Sequence, residues 1–188
     1  KLIDYTKGNI QTIEGPTLQI GKEYTIEELM KYMIMYSNNE ATANLNVLMD
    51  FKAYGDLMQD IGIPVPDPKA PDYTLNSVEC SRFLRVLYNT SVLTNKSSEY
   101  ALKLLSQSTY RGGLLRQISE KDLKVAHKFG ERFLPNENQL HETAIFYTDS
   151  NPYLLTVLTG GKDTAQEAAL IGKIGALVYD YNTKPKAY

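Results

Sequence analysis

Several residue types and patterns that mark common classes of protein are scarce in this sequence. One cysteine, Cys80, occurs in 188 residues. The chain can therefore form neither an intrachain disulfide nor a Cys-x2-Cys zinc site, and we expect Cys80 to be a small buried side chain. The net charge is −2 and no dense lysine or arginine run occurs, which argues against a nucleic-acid partner. No apolar stretch approaches the ~20 residues that span a bilayer, so no transmembrane segment is predicted.

The amino-terminal stretch KLIDYTKGNIQTIEG also lacks the features of a targeting segment. It has no methionine, no basic n-region and no apolar h-region, so it does not match a signal peptide. The stretch is similar to the interior of a protein. We therefore expect a preceding segment that complements this chain.

The residues that are present predict a folded domain that starts with helices. Hydrophobic residues make up 43% and charged residues 22% of the chain, a balance typical of a domain with a core and a polar surface. Thr25 and Glu28 form a capping box. Four prolines make 62–73 a loop. Apolar residues at helical spacing predict five helices, over 25–36, 41–50, 52–61, 74–89 and 97–107.

The pattern changes after about residue 122. Three short runs rich in β-branched and aromatic residues predict strands, over 123–129, 141–147 and 153–159. A long apolar stripe then predicts a helix over 163–182. The order indicates an α/β fold of the α+β type, with a helical lobe over 24–118 and a sheet with its packed helix over 122–182. A cleft between such lobes is the natural ligand site.

Two short polar motifs lie where they can carry chemistry. Ser37-Asn38-Asn39 follows the first apolar helix, and Lys128-Phe129-Gly130 ends the first predicted strand. Each has an ordinary structural explanation. Serine and asparagine cap and turn helices well, and a strand lysine followed by glycine is usually a solvated edge with a turn. Neither motif is specific by itself.

Taken in this order and on these elements, the two motifs resemble S-D-N and K-T-G of the class A β-lactamases and penicillin-binding serine hydrolases. YTIEELMKYMIMYSNNEATANL is similar to the β-lactamase helix that leads into S-D-N, and VAHKFGE to the strand that bears K-T-G. HETAIFYTDSNPYLLTVLTGG and EAALIGKIGALVYDYN are similar to the next two strands and the terminal helix. The resemblance covers roughly 17–182 and implies one incomplete β-lactamase-like domain over 1–188.

The resemblance implies catalytic roles for Ser37 and Lys128. Ser37 would pass a proton to the leaving nitrogen as the amide bond opens. Lys128 would attract the substrate carboxylate, since an ammonium acts strongly in a site of low dielectric constant. Asn39 would hydrogen-bond the acyl side-chain amide of the substrate and help to hold the catalytic lysine of the family.

The resemblance implies further substrate-binding roles for Phe129, Gly130 and Glu131. The backbone N–H of Glu131 would form half of the oxyanion hole. Gly130 would leave room for the substrate to lie along the strand. Phe129 stands where the family has threonine, so the hydroxyl that helps to hold the substrate carboxylate is missing.

Other departures from the family pattern concern the nucleophile and the deacylating water. No serine of this chain is followed by lysine three positions later. We expect that the nucleophile motif S-x-x-K of the family lies outside this chain, and the alternative is a family member that never had the serine. Asn38 replaces an aspartate whose role is mainly structural, which is tolerable. The loop 62–73 lacks the glutamate that activates the deacylating water in class A enzymes, and Asp72 is only a weak substitute. We therefore expect slow deacylation.

The two histidines offer no rival mechanism. His127 precedes Lys128, and strand alternation turns it to the opposite face. His141 begins the next predicted strand. We expect the two to form a structural cross-strand pair rather than a metal site, because no cysteine or aspartate ligands accompany them. Neither a metal nor a cofactor is implied.

The sequence thus predicts a serine hydrolase or acyltransferase that acts on a β-lactam or a peptidoglycan stem peptide through an acyl-enzyme. Export to the bacterial periplasm or cell surface is expected, with a complementing amino-terminal segment that supplies the nucleophile. One alternative is a non-catalytic ligand-binding or sensory domain of the same fold. Another is an interaction domain whose resemblance to the family is fortuitous.

Overall fold

A computed structural model describes residues 15–19, 21–67, 69–70, 72–149 and 151–184. Within these ranges the chain forms six helices and a three-stranded sheet, and the predicted order of elements is confirmed. The expectation that the first stretch of the chain resembles the interior of a protein concerns residues 1–14, which lie outside the described residues. No helix of the described ranges combines the length and the apolar composition that crossing a membrane requires.

Five helices form the first lobe, and local capping explains where they begin. Thr25 and Glu28 close the predicted capping box, with the Thr25 backbone N–H donating to Glu28 Oε2 at 2.8 Å. The second helix runs from 39 to 46 rather than from 41 to 50, because Asp50 accepts from two backbone N–H groups and starts the third helix. The bounds are α1 Ile26–Tyr36, α2 Asn39–Asn46, α3 Phe51–Asp60, α4 Ser77–Tyr88 and α5 Asn95–Ser106.

Cys80 corrects one expectation in this lobe. It lies in the first turns of α4 and is partly exposed rather than buried. The buried residue of this helix is Leu84, one turn later, which joins the core against the sheet. Partial burial is still enough to raise the pKa of the Cys80 thiol.

The sheet is antiparallel with the order β1-β2-β3. Its strands are longer than predicted, because the two hairpins continue pairing beyond the apolar runs: β1 Lys124–Phe133, β2 Asn138–Tyr147 and β3 Tyr153–Gly161. The register places His127 opposite Ala144 and His141 opposite Gly130. The expected cross-strand histidine pair is therefore wrong, since the two residues are three positions out of register with each other.

The sheet is covered on both faces. On one face, which we call the α6 face, Val125, Leu140 and Phe146 pack with residues of 114–118 and of the terminal helix α6, Thr164–Thr183. On the other face, which we call the lobe face, Ala126 and Ile145 pack with Leu84 and Leu105 of the helical lobe. Because strand residues alternate between faces, β1 presents His127 to the α6 face and Lys128 to the lobe face.

Candidate active site

The junction between α1 and α2 divides the Ser37-Asn38-Asn39 motif into different roles. Asn38 is fully buried and is the N-cap of α2, accepting from the Ala41 backbone N–H at 2.8 Å. Its amide also donates to the Pro16 carbonyl at 3.4 Å. Ser37 ends α1 in the left-handed region, at φ 52° and ψ 36°, which costs a non-glycine residue of order 1–2 kcal/mol. Asn38 thus has the structural role expected of it, and it fixes the turn that presents Ser37.

Ser37 and Lys128 are in direct contact. The Lys128 ammonium donates to Ser37 Oγ at 2.6 Å and to the Phe129 carbonyl at 2.6 Å. Burial lowers the pKa of Lys128 to about 8, and the negative charge of Glu142 opposes this shift in part. The two residues predicted to be catalytic lie 91 positions apart in the chain, and the fold joins the end of a lobe helix to a sheet strand through them.

Gly130 and Glu131 follow Lys128 along β1. This strand pairs with β2 on one side, and the order of the described strands gives it no strand partner on the other. A Cβ added at Gly130 would meet nothing within 4 Å. Packing within the described fold therefore does not require glycine here, and space lies open on the lobe face of β1 at this position. Asn39 is exposed in the first turn of α2. The substrate-binding roles of these three residues stay predictions.

Phe129 is part of this site, but another aromatic ring covers it. Its ring stacks on Tyr110, with centroids 3.8 Å apart and an interplanar angle of 16°. Phe129 is 5% exposed, and the Lys128 ammonium lies 4.6 Å from its ring centroid. Phe129 therefore supports the lysine in the structure. Its contact with a substrate stays a prediction that would require Tyr110 to move.

Glu142 is the residue of this region that sequence reasoning missed. It lies on β2 opposite Phe129 and is 1% exposed. One carboxylate oxygen lies 2.7 Å from His127 Nδ1, and the other accepts from the Leu114 backbone N–H at 2.6 Å. The available signal was a glutamate within HETAIFY, since an acidic residue among strand-forming apolar residues is either at an edge or buried with partners.

Asp72, the weak candidate for a general base, lies elsewhere in the proline-rich loop. Its carboxylate pairs with the Arg132 guanidinium, and both side chains are about half exposed. Arg132 lies two positions beyond Gly130 on β1, so the pair connects this loop to the strand at the surface. Across the described ranges no three His, Cys, Asp or Glu side chains lie together as a metal site would need.

Comparison with known proteins gives one family. A sequence profile of the beta-lactamase enzyme family matches residues 3–182. No curated protein sequence matches the chain. Many solved structures share its fold at low sequence identity.

Three of these structures show the extent of the match. A β-lactamase from Sphaerobacter thermophilus is 19% identical with a TM-score of 0.75, over 90% of this chain and 67% of that one. A β-lactamase from Xanthomonas campestris pv. campestris is 20% identical with a TM-score of 0.70, over 86% and 65%. A mutant of PBP-A, solved as an acyl-enzyme complex with penicillin G, is 18% identical with a TM-score of 0.74, over 92% and 68%. The chain thus spans about two thirds of the length of the structures it matches.

Proposed function

We propose, since this chain belongs to the beta-lactamase enzyme family, that it forms part of the cleft of a serine hydrolase or acyltransferase. The substrate would be a β-lactam or a peptidoglycan-type amide, and the reaction would pass through an acyl-enzyme. The observation that carries this proposal is the 2.6 Å hydrogen bond from Lys128 Nζ to Ser37 Oγ. It joins two residue types that an acyl-transfer site uses for proton transfer and for charge stabilisation.

The proposed step needs a serine oxygen from outside these residues, because no Ser-x-x-Lys motif occurs in the chain. That oxygen would bond to the substrate carbonyl carbon, and the amide C–N bond would break. Ser37 would deliver the proton that the leaving nitrogen requires. The proton lost by the attacking hydroxyl would be taken up by the lysine of the same Ser-x-x-Lys motif and would replace the one that Ser37 delivers. Water would then cleave the ester and release the acid.

Lys128 suits both parts of this scheme. With its pKa lowered to about 8, most of the side chain is still protonated at pH 7 and attracts a substrate carboxylate. The same ammonium donates to Ser37 Oγ. The Ser37 hydroxyl is therefore oriented by an accepted hydrogen bond, and its own proton is left to donate.

The open edge of β1 supports a strand-like mode of substrate binding. The space beside Gly130 allows an extended peptide or an acylamino side chain to lie against the backbone, as peptides do when they add to a sheet edge. In this position the Glu131 N–H would donate to the developing oxyanion, and Asn39 would reach the acyl amide of the substrate.

A ligand-binding or sensory domain is the second candidate. Two observations favour it: residues 62–73 contain no glutamate, and Phe129 lies under Tyr110 where the family offers a hydroxyl. In that case one of two outcomes is expected: the protein is acylated and keeps the acyl group, or it binds the ligand without being acylated.

The decisive experiment uses the protein encoded by the complete gene, after its sequence upstream of Lys1 has been determined. A Ser-x-x-Lys within ~60 residues upstream, opening an apolar helix, supports the enzyme, and its absence overturns the catalytic proposal. Incubation with a reporter penicillin and intact-mass measurement then separates the candidates. A persistent adduct indicates acylation with slow turnover, product without adduct indicates a true β-lactamase, and neither indicates a binding domain.

Two lysines of β1 provide a matched pair of variants for this experiment. Lys128→Ala should suppress the adduct. Lys124→Ala should leave it intact, because Lys124 is an exposed lysine on the same face of the same strand. Equal adduct yields from the two variants would remove Lys128 from the site.

Export to the periplasm or the cell surface is part of the proposal, because peptidoglycan-type substrates are found there. Fractionation of cells that produce the complete protein tests it. Recovery together with a cytoplasmic marker enzyme would contradict it.

A further inference from the structure

Glu142 connects three parts of the chain that meet beneath the candidate site. Its own strand is β2, His127 Nδ1 belongs to β1 at 2.7 Å, and the Leu114 N–H belongs to the segment before β1 at 2.6 Å. A carboxylate oxygen only accepts, so both nitrogens act as donors and the proton of the imidazole lies on Nδ1. Each of these contacts is buried.

The segment 110–114 is shaped around this carboxylate. A Cβ added at Gly113 would lie 1.9 Å from Glu142 Oε2, so no larger residue could occupy that position while the carboxylate stays in place. Tyr110, at the start of the segment, stacks on Phe129. Phe129 is directly opposite Glu142 in the sheet register. The carboxylate therefore lies under the tyrosine-phenylalanine stack that borders Lys128.

We propose that Glu142 is a positioning residue, whose carboxylate fastens the 110–114 segment to β1 and β2 and thereby holds Phe129 and Lys128 at the cleft. A buried pair that served stability alone is often replaceable by apolar side chains without loss. Glu142 instead accepts from a loop backbone N–H, which ties the loop to one position on the sheet.

The charge of Glu142 also acts on Lys128 itself. Burial lowers the pKa of Lys128, and the attraction of Glu142 is the influence that raises it again. His127 of β1 is the titratable group in contact with the Glu142 carboxylate, and the Tyr110 ring lies beside Gly113 on the segment. Removal of the negative charge should therefore leave the lysine less protonated, an effect that a role in stability alone would not produce.

The importance of Glu142 for catalysis rests on the proposed function, but the test of its positioning role does not. In the protein encoded by the complete gene, lysine amines are reductively methylated with a ¹³C label and titrated by NMR, with Lys128→Arg identifying the signal of Lys128. Glu142→Gln should move the Lys128 midpoint to lower pH by about half a unit or more, and it should change the Tyr110 ring signals. Glu167→Gln is the matched control, because Glu167 is another buried glutamate, which lies on helix α6 and contacts Thr159 of the sheet.

Lys128 midpoints and Tyr110 ring signals that are the same in Glu142→Gln and Glu167→Gln would overturn the proposal, even if both variants were less stable than wild type. If Glu142→Gln does not fold, Gly113→Ala is tested instead, because this variant displaces the Glu142 carboxylate without removing any charged group. The expected result is then loss of the Tyr110–Phe129 contact together with a shifted Lys128 signal, and unchanged signals would contradict it. A failed penicillin-adduct experiment with a positive titration would reject the proposed function and keep this inference.

Discussion

His127 and Lys128 are neighbours on β1, yet the two faces of the sheet use them differently. On the α6 face, His127 and Glu142 form a pair that is 2% and 1% exposed. On the lobe face, Lys128 reaches Ser37 at the end of α1, beside the open space at Gly130. One polar pair is sealed between strands and a loop, and the other joins the helical lobe to the sheet. The first pair lies wholly among buried groups, while the second lies where the proposed substrate would bind.

The largest effect should follow from breaking the sealed pair. Glu142→Ala leaves His127 and the Leu114 N–H buried without their acceptor, and such losses cost about 3–5 kcal/mol of unfolding free energy. Urea unfolding measures it. Glu167→Ala is the control. Among the described residues Glu167 Oε1 has no hydrogen-bond partner and Oε2 accepts a long bond of 3.5 Å from the Thr159 hydroxyl, so the loss of this carboxylate should cost much less. Similar costs for the two variants would remove the distinction between Glu142 and an ordinary buried glutamate.

The second prediction concerns Lys128 on the lobe face. Its replacement should increase the free energy of unfolding at neutral pH, whereas replacement of Glu142 should decrease it. Lys128 has a pKa of about 8 when folded and ~10.4 when unfolded. Below pH 8 the folded state therefore carries the full cost of a desolvated ammonium. Between these values the unfolded state binds more protons, so this cost disappears as pH rises. Lys128→Met should accordingly be more stable than wild type by about 1–3 kcal/mol at pH 7.

The measurement is urea unfolding of both proteins between pH 6 and about 10, the window set by the two values. The difference in stability should shrink as pH rises above 8. Lys124→Met, at an exposed position of the same strand, should show no such trend. A difference that stays constant with pH would mean that Lys128 is not charged at a cost to folding, and the contrast between the two faces would weaken.

Part of the fold was predictable because its causes are local. The Thr25 and Glu28 capping box lies within four consecutive residues, and it starts α1 as expected. Lys128 could be singled out from the sequence because the motif Lys128-Phe129-Gly130 on a predicted strand resembles a motif of a known family. The end of α2 was misplaced, since the N-cap at Asp50 outweighs the helical propensity of the alanine-rich stretch before it.

The partners of Glu142 were not predictable, because they depend on distances in three dimensions. Leu114 is 28 residues away and His127 is 15 residues away. The expected histidine pair failed for the same reason, since strand register is fixed by hairpin turns and not by the matching of like residues. Phe129 was correctly marked as a departure, but only the structure shows that Tyr110 covers it.

The third prediction compares Gly113, which lies against Glu142, with Gly130, which follows Lys128 on β1. At Gly113 a methyl group would collide with Glu142, so Gly113→Ala should cost about 1–3 kcal/mol, the usual effect of overpacking. At Gly130 the same change meets open space and should alter stability by less than about 0.5 kcal/mol. Thermal unfolding compares them. Equal losses would mean that the space at Gly130 is not free, and the substrate-binding role of that position would lose its support.

The smallest effect should come from Arg132 and Asp72, which join the proline-rich loop to β1 at the surface. The two side chains are 45% and 52% exposed, so water and salt screen their attraction, and such pairs contribute about 0–1 kcal/mol. A double-mutant cycle with Arg132→Ala and Asp72→Ala should give a coupling energy in this range that falls further at high salt. A coupling energy well above ~1 kcal/mol that does not change with salt would mean that Arg132 and Asp72 form a structural ion pair, in addition to the pair on the α6 face. The contrast between a sealed pair on the α6 face and an accessible pair on the lobe face would then be wrong, because the loop and the strand would be locked together close to Gly130, where the substrate is proposed to lie.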